Sequence, residues 1–346
     1  RKAMAARKLS SRMSLYHAIK NAFNPEHPRL WPWVYRTYRP SQPQNFVRNP
    51  YYFMVDAQGN QLPYIDRVSY ATKPYNMIPL AAAGGELTFQ GDHIKYKDYT
   101  ELMSQRESGK YRVLLWRGSG SEFTVFPNMN RRIDPAIPET AFKHRLFNDK
   151  RFRQALSLAI DRETIIDALY NGVLKPSQSA PLEGTYFHRP AASNAFVEYD
   201  PVTANRLLDE IGLTGRDSEG YRTYWDGTRM TFFLNESSLI GSGPAQWLVD
   251  DWKAVGIRVI EHMRNRQLFG LERNALEHDL DTWGSGGFVL PILEPGALVS
   301  GFFAPAYDQW RRRGGLHGDQ RAGSAASFAP PKDHPLRRAM ELYGRT

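Results

Sequence analysis

An α/β fold with a mixed or parallel sheet is predicted for this chain by three observations. From about residue 150 onward, amphipathic helical stretches alternate with short apolar strands. The helices carry start and stop residues of their own, chiefly Asp, Pro and Gly. The chain has 346 residues, enough to bury a sizeable core in one large or two medium bodies.

The elements follow in order. Residues 1 to about 24 read as a basic, marginal helix broken by Asn24-Pro25 and Pro28. WPWVYRTYRP begins as a strand with Trp31, Trp33 and Tyr35 on one face, ended by Pro40 and Pro43. Asn49-Pro50 and Gln58-Gly59-Asn60 make turns, and Ile65 to Tyr70 returns as a strand. Ile78 to Ala83 reads as a short helix stopped by Gly84-Gly85, followed by a strand at Leu87 to Gln90. YRVLLW, Tyr111 to Trp116, has the near-continuous apolar character of a strand in a covered sheet. After Gly118, Ser119 and Gly120, an extended course resumes at Phe123 to Phe126.

The clearest segment is NDKRFRQALSLAIDRETIIDALYNG, Asn148 to Gly172. Phe152, Ala155, Leu156, Ala159 and Ile160 recur at helical spacing, with Arg151, Arg153 and Gln154 largely on the other side. Asp161 can cap a second helix, and Asn171-Gly172 supplies left-handed residues where that helix stops. Asp200 is a further N-cap, with Pro201 at the first helical position and Gly212 at the end. Strands at Met230 to Leu234, Ile257 to Ile260 and Leu280 to Trp283 then alternate with helices at Trp247 to Val255 and Gln267 to Leu276.

Composition narrows the function. There is no cysteine, so disulfides, thiolate catalysis and cysteine-bound metals are excluded. The net charge of +9 sits at the ends: seven basic residues against one acidic in 1–30, and eight against three in 311–346, leave the rest at −2. A nucleic-acid face would need that charge on the folded body, so no nucleic-acid partner is expected. Both ends read as solvated or only partly ordered. No run of about 18 apolar residues occurs, and the basic start lacks the apolar core of a signal peptide. G-x-S-x-G, HExxH, GxGxxG and Walker A patterns are all missing, so no enzyme activity and no cofactor or metal is expected. The carboxylate pairs Asp250-Asp251 and Asp279/Asp281 read as solvated or capping groups.

Several blocks, in chain order, together carry a family resemblance: RNPYYFMVDAQGNQLPYIDRV (48–68), AAAGGELTFQ (81–90), RFRQAL…AIDR…I (from 151), EYDPVTANRLLDEIGL (198–213) and VDDWKAVGIRV (249–259). The chain resembles the family 5 extracellular solute-binding proteins, the dipeptide and oligopeptide receptors of bacterial ABC importers. The resemblance spans roughly Trp31 to Trp310. It implies a type II periplasmic-binding-protein-like fold of two lobes with mixed sheets, the first lobe incomplete and edged by unpaired strands. On this reading 1–30 is a basic N-terminal segment, 31–125 part of the first lobe, 126–310 the second lobe, and 311–346 a basic, partly disordered tail. The implied role is capture of a small peptide or oligosaccharide between the lobes, without catalysis. Its partner would be an ABC permease in the membrane, its site periplasmic or extracellular, and its state monomeric. A hydrolase with an unrecognised site and a non-functional piece of the receptor stay open as alternatives.

Binding needs flat apolar faces and a few fixed hydrogen bonds. Trp283, Gly284, Ser285 and Gly286 offer both: an indole at a strand end and a glycine-rich loop with unshielded backbone. The resemblance places these residues at the ligand. It also places Asn128 and Asn130 at the lobe crossing, where a carboxamide can donate and accept; an Asx turn beside Pro127 is the structural alternative. Trp116 and Arg117 are weaker candidates. Peptide receptors of this family pair an aspartate after the Trp-bearing strand with the peptide ammonium. Here Ser285 to Pro291 holds no acid and Glu294 is the first, which favours glycans.

Overall fold

The computed structural model describes residues 12–20, 24, 27, 29–37, 41–91, 93–115, 121–238, 243–285 and 301–345. The chain divides into two compact units, Arg1–Tyr111 and Arg112–Thr346.

In the first unit, helix α1 is Arg12–Lys20. Strands β1 (Trp33–Tyr35), β2 (Gln44–Arg48) and β3 (Arg67–Tyr70) form an antiparallel sheet in that order. Tyr35 pairs with Phe46 and Phe46 with Val68, so aromatic residues meet on one face: Tyr35 lies 5.2 Å from Phe46, and Phe46 lies 5.7 Å from Tyr70. The central strand β2 was not evident in the sequence, because its short QNFVR run follows Pro43 closely and gains its ladder from neighbours on both sides. Helices α2 (Ile78–Ala83) and α3 (Tyr99–Gln105) complete this unit.

Two expected strands are absent. Residues 87–90 and the described residues of YRVLLW, 111–115, join no ladder; Leu114 and Leu115 are exposed. A strand exists only through a paired neighbour, and among the described residues none lies beside either segment. Trp116, Arg117 and the following Gly-Ser-Gly fall outside the described residues.

The second unit opens with β4 (Ser121–Pro127), which joins this unit's sheet although the boundary expected from sequence lay at 125/126. Next come α4 (Glu139–Asn148), α5 (Lys150–Leu158) and α6 (Arg162–Tyr170). The joint is built as expected. Asp149 caps α5 by accepting from the Arg151 amide, and Asp161 caps α6 by accepting from the Thr164 amide at 3.1 Å. Asn171 at φ 50° and Gly172 at φ 68° then end α6 in the left-handed region. The short α7 (Pro190–Ser193) leads to α8 (Pro201–Glu210), which Asp200 caps. Strand β5 (Thr231–Ser237), helix α9 (Ala245–Ala254) and strand β6 (Arg258–Arg264) form a parallel crossover unit. Helix α10 (Arg266–Asn274) then leads to β7 (Leu280–Ser285), which lies parallel to β5 on its other side.

The sheet order β4-β7-β5-β6 is mixed, since β4 runs antiparallel to β7. Alternation assigns its two faces. Phe232, Leu234, Val259 and Leu280 point into the main core with Phe147, Phe152, Leu208 and Trp252. Phe126, Asp281 and Trp283 share the opposite face, where α10 and Phe302 lie.

The basic C-terminal segment is largely built into this unit. Helix α11 (Pro305–Arg312) and helix α12 (Pro335–Tyr343) enclose a second small core of Ala304, Tyr307 and Met340, with Trp310 and Leu336 against it. This core was not legible beforehand because its apolar residues are few and widely spaced between basic ones.

Candidate functional site

A groove of about 1030 Å³ opens on the second unit, outside the sheet face that carries Trp283. Its floor is aromatic. Phe302 stacks on Phe126 at 5.1 Å and on Trp283 at 5.6 Å, and Phe269 of α10 tilts against Trp283 at 5.8 Å. One wall is α10, whose Arg266, Phe269, Gly270 and Arg273 recur at helical spacing and so line the groove together. The other wall is α11, with Asp308, Gln309 and Arg312.

The arginines lie over the floor. Arg273 sits 4.4 Å from the centre of the Phe302 ring and 5.6 Å from Phe269, and Arg266 sits 5.6 Å from Trp283. The acid that lines the groove, Asp308, is taken by its own helix: Arg311 donates to it at 2.8 Å and Arg312 at 2.6 Å.

Trp283 and Gly284 therefore line the groove, at the carboxyl end of a parallel strand, where open α/β sheets place their ligands. Ser285 ends β7 opposite Ser121, and Gly286 lies outside the described residues together with the rest of 286–300. Asn128 and Asn130 are not at the groove. Both are buried, and their carboxamides are used within the fold. Asn128 donates to the His278 carbonyl at 2.9 Å and accepts from the Asn130 amide at 3.0 Å, the Asx turn that was the structural alternative. Asn130 accepts from the Ala306 amide at 3.1 Å, satisfying a free donor in the first turn of α11. Sequence reasoning missed Phe269, Phe302 and Arg273. For Phe269 and Arg273 the three-and-seven spacing from Arg266 was available, but nothing local says which helix face meets a groove.

Below the floor, Asp281 and His278 are fully buried, 3.6 Å apart. Burial drives the Asp281 carboxyl well above its usual range, with Arg273 pulling the other way, and lowers the His278 imidazole to about 3. Both shifts favour the neutral form. On the core face, burial pushes Glu236, at the end of β5, up to about 8, helped by the carboxylate of Glu261 on β6. A carboxyl raised on folding stabilises fully below the unfolded value of about 4.3, and that contribution is lost as pH rises toward about 8. Urea denaturation of Glu236→Gln and the parent between pH ~5 and ~9 is expected to give a substitution that becomes progressively more favourable with pH. A constant difference would mean that Glu236 ionises normally.

Among the described residues, no helix is long and apolar enough to cross a membrane and no cluster of three His, Asp or Glu could hold a metal ion. The second unit is thus a mixed sheet with helices on both faces and an aromatic groove at its strand ends. Residues 24–298 match the profile of the bacterial extracellular solute-binding proteins, family 5 Middle, and the chain belongs to that family. The periplasmic alpha-galactoside-binding protein of Rhizobium meliloti strain 1021 is 26% identical over 260 residues, 71% of this chain and 37% of that protein. The solved oligopeptide-binding protein OppA is 30% identical with a TM-score of 0.60, over 98% of this chain and 56% of that one. The periplasmic binding protein MelB of Agrobacterium fabrum C58, solved in complex with stachyose, has a TM-score of 0.62 at 19% identity, over 92% of this chain and 50% of that one. The chain thus spans little more than a third of the length of that curated relative and about half the length of these structures.

Proposed function

We propose that this chain provides the groove-bearing part of a receptor for an ABC importer, which holds a small oligosaccharide or peptide without chemical change and presents it to a membrane permease outside the cytoplasm. Lobe closure and action as a monomer belong to the same reading.

The observation that carries it is the aromatic floor. Trp283, Phe302, Phe269 and Phe126 form a connected apolar surface at a strand end, with unshielded backbone at Gly284 beside it. Sugar rings stack on such faces and take their hydrogen bonds from the surrounding backbone and polar groups. An oligosaccharide is favoured over a peptide because the acid that lines the groove among the described residues, Asp308, is already paired with two arginines and is not available to receive a peptide ammonium. The relationship to an alpha-galactoside-binding protein supports the same class of solute.

Calorimetric titration with a panel of neutral oligosaccharides and tripeptides tests this. The parent should bind a member without consuming it, and Trp283→Ala should weaken that binding by about 2 kcal/mol, roughly 30-fold, as loss of a central aromatic anchor does. Unchanged affinity in that variant, or turnover of the bound solute, would reject the reading.

A further inference from the structure

The groove's charge is one-sided. Four of its lining residues are arginines, Arg153, Arg266, Arg273 and Arg312, against the single acid Asp308 among the described residues. Two of those arginines have internal partners: Arg153 donates to the Phe147 carbonyl, and Arg312 donates to Asp308. Arg266 and Arg273 are different. Neither has a hydrogen bond or ion pair to a carboxylate among the described residues, and both lie over the aromatic floor, two helical turns apart on one face of α10. Two acids act on Arg273 through space: Asp281, sealed beneath the floor where burial drives its carboxyl well above the usual range, and Asp308, which already holds Arg311 and Arg312.

Cation–aromatic stacking holds these guanidinium planes without using their N–H groups. Five donors remain on each, and their forked geometry matches a carboxylate. Resting on the receptor reading above, we infer that the groove selects acidic oligosaccharides: a sugar face stacks on Trp283 and Phe302 while its carboxylate is received by Arg266 and Arg273. A neutral sugar would leave two partly desolvated cations unmatched. A peptide would bring its ammonium toward them.

The probes are a galacturonate trimer, a neutral galactose-containing trisaccharide and an acidic tripeptide, titrated into the parent chain by calorimetry at low and high ionic strength. The acidic trisaccharide is expected to bind at least about tenfold more tightly than the neutral one at low salt, the gain of one charge-assisted pair. This ratio should fall toward one as salt is raised to about 1 M. In Arg266→Gln, an exposed position, the ratio should drop several-fold, whatever happens to absolute affinity. Equal or tighter binding of the neutral sugar overturns this inference while leaving the receptor reading standing. Binding of the acidic peptide alone overturns it in favour of peptide capture. Failure of all three to bind removes the receptor reading itself.

Discussion

Replacing Asp279 with alanine is expected to lower the unfolding free energy by about 3–5 kcal/mol, the cost of leaving a buried charge without its partner. Asp279 is buried just ahead of β7 and gathers three donors: Arg131 Nε at 2.9 Å, Lys143 Nζ at 2.7 Å and the Phe233 amide at 3.1 Å. It therefore fastens α4, β5 and the turn after β4 to one point. Lys143 is itself only 1% exposed, and without Asp279 its remaining ion-pair partner among the described residues is the more exposed Glu139 at 3.3 Å. Removing the cation instead should cost less. Lys143→Met leaves Asp279 with Arg131 and the backbone amide, so the carboxylate stays partnered. Urea denaturation of the two variants checks both size and order. A loss of less than about 1 kcal/mol in Asp279→Ala would show that water reaches this cluster.

Trp252→Ala is expected to cost about 3–5 kcal/mol by emptying the centre of the main core. The indole is 1% exposed, on the buried face of α9, and its Nε1 donates to the Leu156 carbonyl at 2.9 Å. The variant thus loses contacts and also strands an acceptor at the end of α5, where α6 begins. Trp252→Phe separates the two effects: it restores most of the volume but not the donor, and should recover more than half of the loss. The same denaturation experiment applies. If both variants were equally unstable, the hydrogen bond rather than packing would dominate this joint.

The sequence was most legible where structure is local. Asp161, Asn171 and Gly172 announce a helix joint through their own side chains and backbone preferences, and the joint is found there. The same holds for Asp200, Pro201 and Gly212 around α8. Strands fared differently, because pairing is decided by distant residues. QNFVR became the centre of a sheet, while the described residues of the more apolar YRVLLW, 111–115, joined none. The site was half legible for the same reason. Trp283 and Gly284 could be picked out at a strand end, but Phe302 and Phe126 reach the floor from segments more than 170 residues apart. Asn128 and Asn130 illustrate the converse. Their carboxamides suit a ligand, yet the demand of buried backbone groups nearby claims them first.

The Asp279 clamp lies four residues ahead of Trp283 on one continuous segment. The indole's platform is consequently tied to α4 and β5, so on the proposed reading docking would freeze little of the protein's own motion and most of the entropy lost would belong to the glycosidic torsions of an oligosaccharide guest. Shorter or stiffer saccharides of equal contact area should for that reason be held more firmly on this floor, and tightening the floor further would gain little.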